Sequence, residues 1–83
     1  NSLTGKKARA MRLEMALGNI KSPYDWAQTL SSIRQLPMAY EEKRRYVRIA
    51  LKEMMLQYHP DKSGRNMPWS IRELFDEYRV RFA

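Results

Sequence analysis

The sequence predicts an all-α fold, and three observations carry that prediction. Apolar residues recur at helical spacing in four segments, no segment alternates polar and apolar residues as a strand would, and Gly or Pro separates the helical segments. The chain has 83 residues, of which 43% are hydrophobic. A chain of this size can build one modest core and has no room for a second.

A basic N-terminal extension is predicted over residues 1–22, with a helix at 4–17 that ends at Gly18. Its apolar positions form only a narrow stripe: Ala10, Leu13 and Leu17. Either a helix docked on the core or a frayed basic arm fits this pattern. Because the chain begins with Asn rather than Met, we also expect it to be a fragment of a longer protein.

The main domain, residues 23–83, opens with a short predicted helix at 23–33. Ser22 is the expected N-cap, Pro23 suits the first helical position, and Asp25 favours the positive end of the helix. An apolar stripe follows at helical spacing: Trp26, Ala27, Leu30 and Ile33. A loop that contains Pro37 is predicted at 34–40.

The strongest helical periodicity lies at 41–58. Glu41 and Glu42 open this helix, where the macrodipole favours acidic residues, and Pro60 ends it. One face is apolar, with Val47, Ala50, Leu51, Met54 and Tyr58. Basic residues lie largely elsewhere on the helix: Arg44, Arg45, Arg48 and Lys52.

After a polar turn at 62–66, a last helix is predicted at 68–82. Pro68 is one candidate start, and a capping box of Ser70 and Glu73 is another. The residues expected to be buried are Ile71, Leu74, Phe75, Tyr78 and Phe82. We expect both tryptophans, Trp26 and Trp69, to anchor helix packing.

The formal net charge of +7 narrows the class of partner. Such a surface attracts nucleic acid, acidic protein patches or anionic membranes. No apolar run is long enough to span a membrane, so no membrane insertion is expected. The absence of Cys excludes disulfides within the chain and favours a reducing compartment such as the cytoplasm or nucleus.

The sequence offers little support for catalysis, and we expect the domain not to be an enzyme. Its single histidine, His59, has no evident nucleophile, and one His with scattered carboxylates does not make a metal site. The adjacent acidic pairs point apart on a helix: Glu41 with Glu42, and Asp76 with Glu77. No cofactor or metal is expected.

The most informative segment is Tyr58-His59-Pro60-Asp61-Lys62. A helix end followed by an Asp-containing turn would account for Pro60 and Asp61 but not for His59. A turn alone therefore does not explain why His59, Pro60 and Asp61 occur together.

This segment resembles the J domain of DnaJ-like co-chaperones, which carry His-Pro-Asp in the loop between two antiparallel helices. The apolar residues before the motif match the family in register: Val47, Ala50, Leu51, Met54 and Tyr58. Lys62 follows the motif, as is common in the family, and the resemblance places it among the residues expected to bind the partner. The resemblance covers residues 23–82 and is most specific at 44–62.

The resemblance implies a module that docks on a DnaK-type heat shock protein 70 chaperone and stimulates its ATP hydrolysis. Three basic residues would contact an acidic patch on the chaperone: Arg45, Arg48 and Lys52. Asp61 would accept hydrogen bonds from a basic group of the chaperone, while His59 and Pro60 would hold the loop. The extension at 1–22 is a candidate for binding a client or a scaffold.

Two departures from the family leave other functions open. Glu53 and Gln57 stand where Lys or Arg is usual, and we expect no counterpart of the family's fourth helix within residues 1–83. A J-like scaffold that binds proteins without stimulation is one alternative. A basic helical module that binds nucleic acid is the other, because Arg alternates with aromatic residues at 44–48 and 78–82. We expect any nucleic-acid binding to be weak.

Overall fold

A computed structural model describes residue 5, residues 16–58 and residues 67–83. Within these ranges the secondary structure is helical and contains no strand. Three helices span Pro23–Arg34 (α1), Tyr40–Tyr58 (α2) and Trp69–Arg81 (α3). The predicted all-α class is confirmed for this part of the chain, and the three helices lie within one residue of their predicted bounds.

The first turn of α1 forms as its sequence predicts. The Ser22 hydroxyl accepts a hydrogen bond from the Asp25 main-chain N–H at 3.1 Å, and Pro23 occupies the first helical position. At the other end, the Lys43 ammonium donates a hydrogen bond to the Arg34 carbonyl. One lysine of α2 therefore satisfies a carbonyl that the end of α1 would otherwise expose.

The third helix begins without a side-chain cap. Pro68 has φ −54° and ψ 142° at the N-cap position, and its carbonyl accepts a hydrogen bond from the Arg72 N–H at 3.0 Å. No side chain bonds to the free N–H groups of the first turn. The capping box of Ser70 and Glu73 therefore does not form, and the helix starts directly after the proline.

The three helices bury their predicted apolar faces in one core. Its members are the residues Leu17, Trp26, Leu30, Ile33, Val47, Ala50, Leu51, Met54, Ile71, Tyr78 and Phe82. In the apolar stripe predicted for α2, the first four members are buried, and Tyr58 is partly buried against the core. Leu74 and Phe75 of α3 are only partly buried against this core, and Ala27 in the predicted stripe of α1 is also only partly buried.

The expectation that both tryptophans anchor packing holds for Trp26 and is wrong for Trp69. Trp26 is fully buried, whereas 74% of Trp69 is exposed. Trp69 precedes buried Ile71 by two residues, which turns it by about 200° around a helix of 3.6 residues per turn. It therefore lies on the solvent face of the first turn of α3.

A stack of three rings connects the beginning of α2 with the end of α3. The ring centroids of Tyr40 and Phe82 lie 5.6 Å apart, and those of Tyr78 and Phe82 lie 6.1 Å apart. The Tyr40 hydroxyl also lies 3.3 Å from the Ala83 carbonyl, to which it donates. Since these contacts join residues far apart in sequence, they fix one end of α2 against one end of α3.

The predicted N-terminal extension reaches the core through its last residues. Ala16 and Leu17 are helical, and a turn follows at Gly18 and Asn19. Leu17 is 1% exposed, and Ile20 packs against the core. Most of the predicted helix at 4–17 lies outside the described residues.

Two adjacent methionines of α2 test the assignment of the core. Met54 is fully buried, so Met54→Ala is expected to lower the free energy of unfolding by about 2–4 kcal/mol through the cavity it leaves. Met55 is 38% exposed, and Met55→Ala should cost less than about 1 kcal/mol. Urea unfolding followed by circular dichroism measures both; equal losses would contradict the burial pattern.

Candidate functional site

Three predicted binding residues share the exposed face of α2. Arg45, Arg48 and Lys52 are all exposed, while Val47 and Met54 on the opposite face are fully buried. Their spacing of three and four residues aligns them along the helix over about 10 Å, at 1.5 Å per residue. We call these three residues the cationic row. None of them forms an ion pair with another described residue.

The remaining predicted site residues continue the chain beyond this helix. Tyr58 is the last residue of α2, and His59 follows it directly. His59, Pro60, Asp61 and Lys62 lie outside the described residues. The structure therefore brings together the three basic residues of the predicted site and leaves the other four predictions untested.

The exposed face of α2 changes character towards its C-terminal end. Beyond Lys52, the side chains of Met55 and Leu56 are 38% and 43% exposed. The last turn of the helix contains no basic residue. A partner that covers this face would therefore meet positive charge first and apolar surface nearer the end of the helix.

Gln57 has a structural role that the sequence reasoning missed. Its side-chain Oε1 accepts a hydrogen bond from the Trp26 indole N–H at 3.0 Å, and its Nε2 donates to the Leu17 carbonyl at 3.4 Å. A buried tryptophan needs an acceptor for its N–H, and a glutamine can accept and donate at once. Gln57 thus joins three segments of the chain. The only signal in the sequence was the need of Trp26 for such an acceptor.

Tyr58 makes a second connection to the segment before α1. Its hydroxyl donates a hydrogen bond to the Lys21 carbonyl at 3.3 Å. A tyrosine hydroxyl is protonated at neutral pH and can donate, and burial raises the pKa of the Tyr58 phenol further above that range. Together with the bond from Gln57 to Leu17, this contact holds residues 17–21 against the last turn of α2.

An open groove of about 480 Å³ lies between residues 18–21 and the C-terminal end of α2. The described residues that line it are Gly18, Lys21, Glu53, Leu56, Gln57 and Tyr58. Lys21 is the only basic residue among them, and Glu53 is the only acidic one. The groove combines exposed apolar surface with one charge of each sign.

The described part of the chain contains no cluster of metal-binding side chains. No group of three or more His, Cys, Asp or Glu residues is placed there to hold a metal ion. In the same part of the chain, no helix is both long and apolar enough to cross a membrane. What the described surface can do chemically is attract and orient an anionic partner through the cationic row.

Comparisons with known proteins returned no match. This holds for models of protein families, for curated protein sequences and for solved structures.

The bridge made by Gln57 can be tested against a matched glutamine. Gln57→Leu should lower the free energy of unfolding by about 1–3 kcal/mol, because it leaves the buried Trp26 N–H without its acceptor. Gln28 also makes a side-chain hydrogen bond, to Tyr24 at 3.1 Å, but on an exposed surface. Gln28→Leu should therefore change stability by less than about 0.5 kcal/mol.

Urea unfolding of the single variants and of a double variant with Trp26→Phe provides the measurement. Since Trp26→Phe removes the same hydrogen bond, the losses from Gln57→Leu and Trp26→Phe should not add. Fully additive losses would show that the two side chains do not act together.

Proposed function

We propose that this chain is a J-domain-like co-chaperone module that docks on a DnaK-type heat shock protein 70 and stimulates its ATP hydrolysis. The observation that carries the proposal is the cationic row on the exposed face of α2, the helix whose sequence runs directly into His59-Pro60-Asp61. The row holds three of the seven residues to which the resemblance assigns partner binding.

The register of the core supports the proposal. The residues of α2 that match the J-domain pattern at Val47, Ala50, Leu51 and Met54 are the buried residues of that helix. If the register of the resemblance were shifted by one residue, the matched positions would turn by about 100° around the helix and would include charged side chains. The burial of these four positions is therefore what the register of the resemblance requires.

The contacts between α2 and α3 support an antiparallel helix pair. Tyr40 opens α2 and stacks on Phe82, which directly follows α3. If the first residue of one helix meets the end of the other, the ten residues between Tyr58 and Trp69 join the two helices at the far end. His59-Pro60-Asp61 would then stand at the tip of the pair.

Each part of the site has a distinct role in the proposed docking. The cationic row attracts an acidic surface of the chaperone, which speeds association and orients the helix. Asp61 accepts charge-assisted hydrogen bonds from a basic group of the chaperone. His59 and the rigid Pro60 hold the loop that presents Asp61. Nucleotide binding and hydrolysis belong to the chaperone, so this chain requires no cofactor.

One observation favours a scaffold without stimulation as the second candidate. Glu53 and Gln57 replace two cations that the family usually has, and Gln57 is engaged inside the fold with Trp26 and Leu17. Docking would then be weaker than is typical of J domains. Binding without stimulation is the result that distinguishes this candidate from the first.

The nucleic-acid alternative loses support from burial. Tyr78 and Phe82, two of the aromatic residues that alternate with Arg, are 3% and 4% exposed. Tyr46 packs partly against the core. Rings engaged in packing are not available to stack on bases. Of the two features that favoured nucleic acid, the aromatic rings and the positive charge, only the positive charge remains available on the surface.

Substitution of Asp61 tests the proposed mechanism directly. Asp61→Asn keeps the size of the side chain and removes its charge, so stimulation should be lost while the fold remains. The expected cost is about 2–5 kcal/mol of coupling, as for a desolvated charge pair at an interface. Single-turnover ATP hydrolysis by several DnaK-type chaperones, over a wide range of concentrations of the chain, provides the measurement.

The controls separate docking from general charge effects. Asp76→Asn makes the same chemical change at an exposed residue whose only described ion pair is with Arg79 at 3.8 Å, and it should leave stimulation unchanged. Arg48→Glu should slow association and change its salt dependence. Full stimulation by Asp61→Asn would reject the mechanism. Binding by the parent without stimulation would favour the scaffold.

Salt dependence tests the nucleic-acid alternative. We expect labelled single-stranded and duplex oligonucleotides to bind with a dissociation constant of about 10⁻⁴–10⁻⁶ M or weaker at physiological salt, as for nonspecific phosphate contacts. Fluorescence anisotropy between low and physiological salt measures this. Submicromolar binding that falls in Arg44→Glu and Arg81→Glu but not in Asp61→Asn would rank nucleic acid above the chaperone.

A further inference from the structure

The segment before α1 is fixed against the C-terminal end of α2. Leu17 is buried, and its carbonyl accepts a hydrogen bond from Gln57. Four residues later, the Lys21 carbonyl accepts one from Tyr58. Because the main chain is held at both residues, the side chain of Lys21 starts from a defined position beside the last turn of α2.

The side chain of Lys21 is available to a partner. It is exposed, it lines the groove beside Glu53 and Leu56, and it forms no ion pair with a described residue. Its main-chain carbonyl makes the bond to Tyr58, so the ammonium group is not needed for that contact. The charge of Lys21 can therefore be changed without removing the hydrogen bond that positions it.

Positive charge is missing from α2 where Lys21 lies. The cationic row ends at Lys52, and residues 53–58 contain Glu53 and no Lys or Arg. The negative end of the helix macrodipole also falls in this last turn. A partner with an acidic surface along α2 would meet net negative charge there unless another segment supplied a cation. Lys21 is the described cation that borders this stretch.

We propose that Lys21 belongs to the surface that binds the acidic face of the partner chaperone. The segment at 17–21 would thus replace, from outside α2, part of the charge lost at Glu53 and Gln57. This inference rests on the proposed function, because the partner is the same DnaK-type chaperone. It adds to that function a binding residue on a segment that lies before the helices of the J-like domain.

The test compares Lys21→Glu with Arg81→Glu. Both substitutions change the net charge by the same amount at an exposed residue, but Arg81 ends α3 close to Tyr40 and thus lies far from Tyr58. The association rate with an ATP-bound DnaK-type chaperone is measured by stopped-flow fluorescence at low and high salt. Lys21→Glu should slow association about 3–10-fold at low salt, as for a charge at the rim of an interface.

Conservative variants separate charge from structure. Lys21→Arg should bind like the parent, Lys21→Gln should fall between the parent and Lys21→Glu, and Arg81→Glu should stay within about twofold of the parent. The differences should vanish near 1 M salt, where the screening length is about 3 Å. A loss in Lys21→Arg equal to that in Lys21→Glu would overturn the inference, because charge would not be its cause.

Two reference variants distinguish failure of this inference from failure of the proposed function. If Lys21→Glu behaves like Arg81→Glu while Arg48→Glu and Asp61→Asn are impaired, the role of Lys21 is wrong and the docking mechanism stands. If the parent shows no binding, or if neither reference variant differs from it, both proposals are overturned.

Discussion

Burial of the Trp26 indole constrains where three segments of this chain can lie. A fully buried indole must donate its N–H to an acceptor, and Gln57 at the end of α2 provides one at 3.0 Å. The same glutamine donates to the Leu17 carbonyl, so α1, α2 and the segment before α1 meet at a single side chain. Together with the bond from the Tyr58 hydroxyl to the Lys21 carbonyl, this junction holds the segment before α1 against the end of α2.

Local signals in the sequence predicted most of the fold. The Ser22 cap, the start of α1 at Pro23 and the buried faces of α1 and α2 all depend on neighbouring residues, which sequence spacing reveals directly. The prediction for Trp69 was wrong. A large aromatic residue suggests burial, but the angular position of Trp69 on α3 places it in solvent. Of the candidate site, spacing correctly placed the three cations on one exposed face.

What sequence could not supply was contact between residues far apart in the chain. From sequence alone, Gln57 stood out only as a position where the family usually has a cation. Its hydrogen-bond partners Trp26 and Leu17 lie 31 and 40 residues away, so sequence spacing did not reveal its structural role. In the sequence, Lys21 is one of several basic residues in the N-terminal extension. The hydrogen bond from the Tyr58 hydroxyl to its carbonyl is what sets it apart. The roles of both residues depend on the packing of the N-terminal segment against α2, which no periodic pattern in the sequence predicts.

The contrast between the two tryptophans gives the chain a pair of intrinsic fluorescent reporters. The indole of Trp26 is enclosed by the core, whereas that of Trp69 stands in water at the start of α3, ten residues after His59. Emission from Trp26 should therefore shift to the red when the core opens, while emission from Trp69 is already that of a solvated indole. A soluble quencher would reach Trp69 first, and a protein that covered the beginning of α3 would shield it. Folding and docking could thus be followed through the emission wavelengths of the two tryptophans, without an attached label.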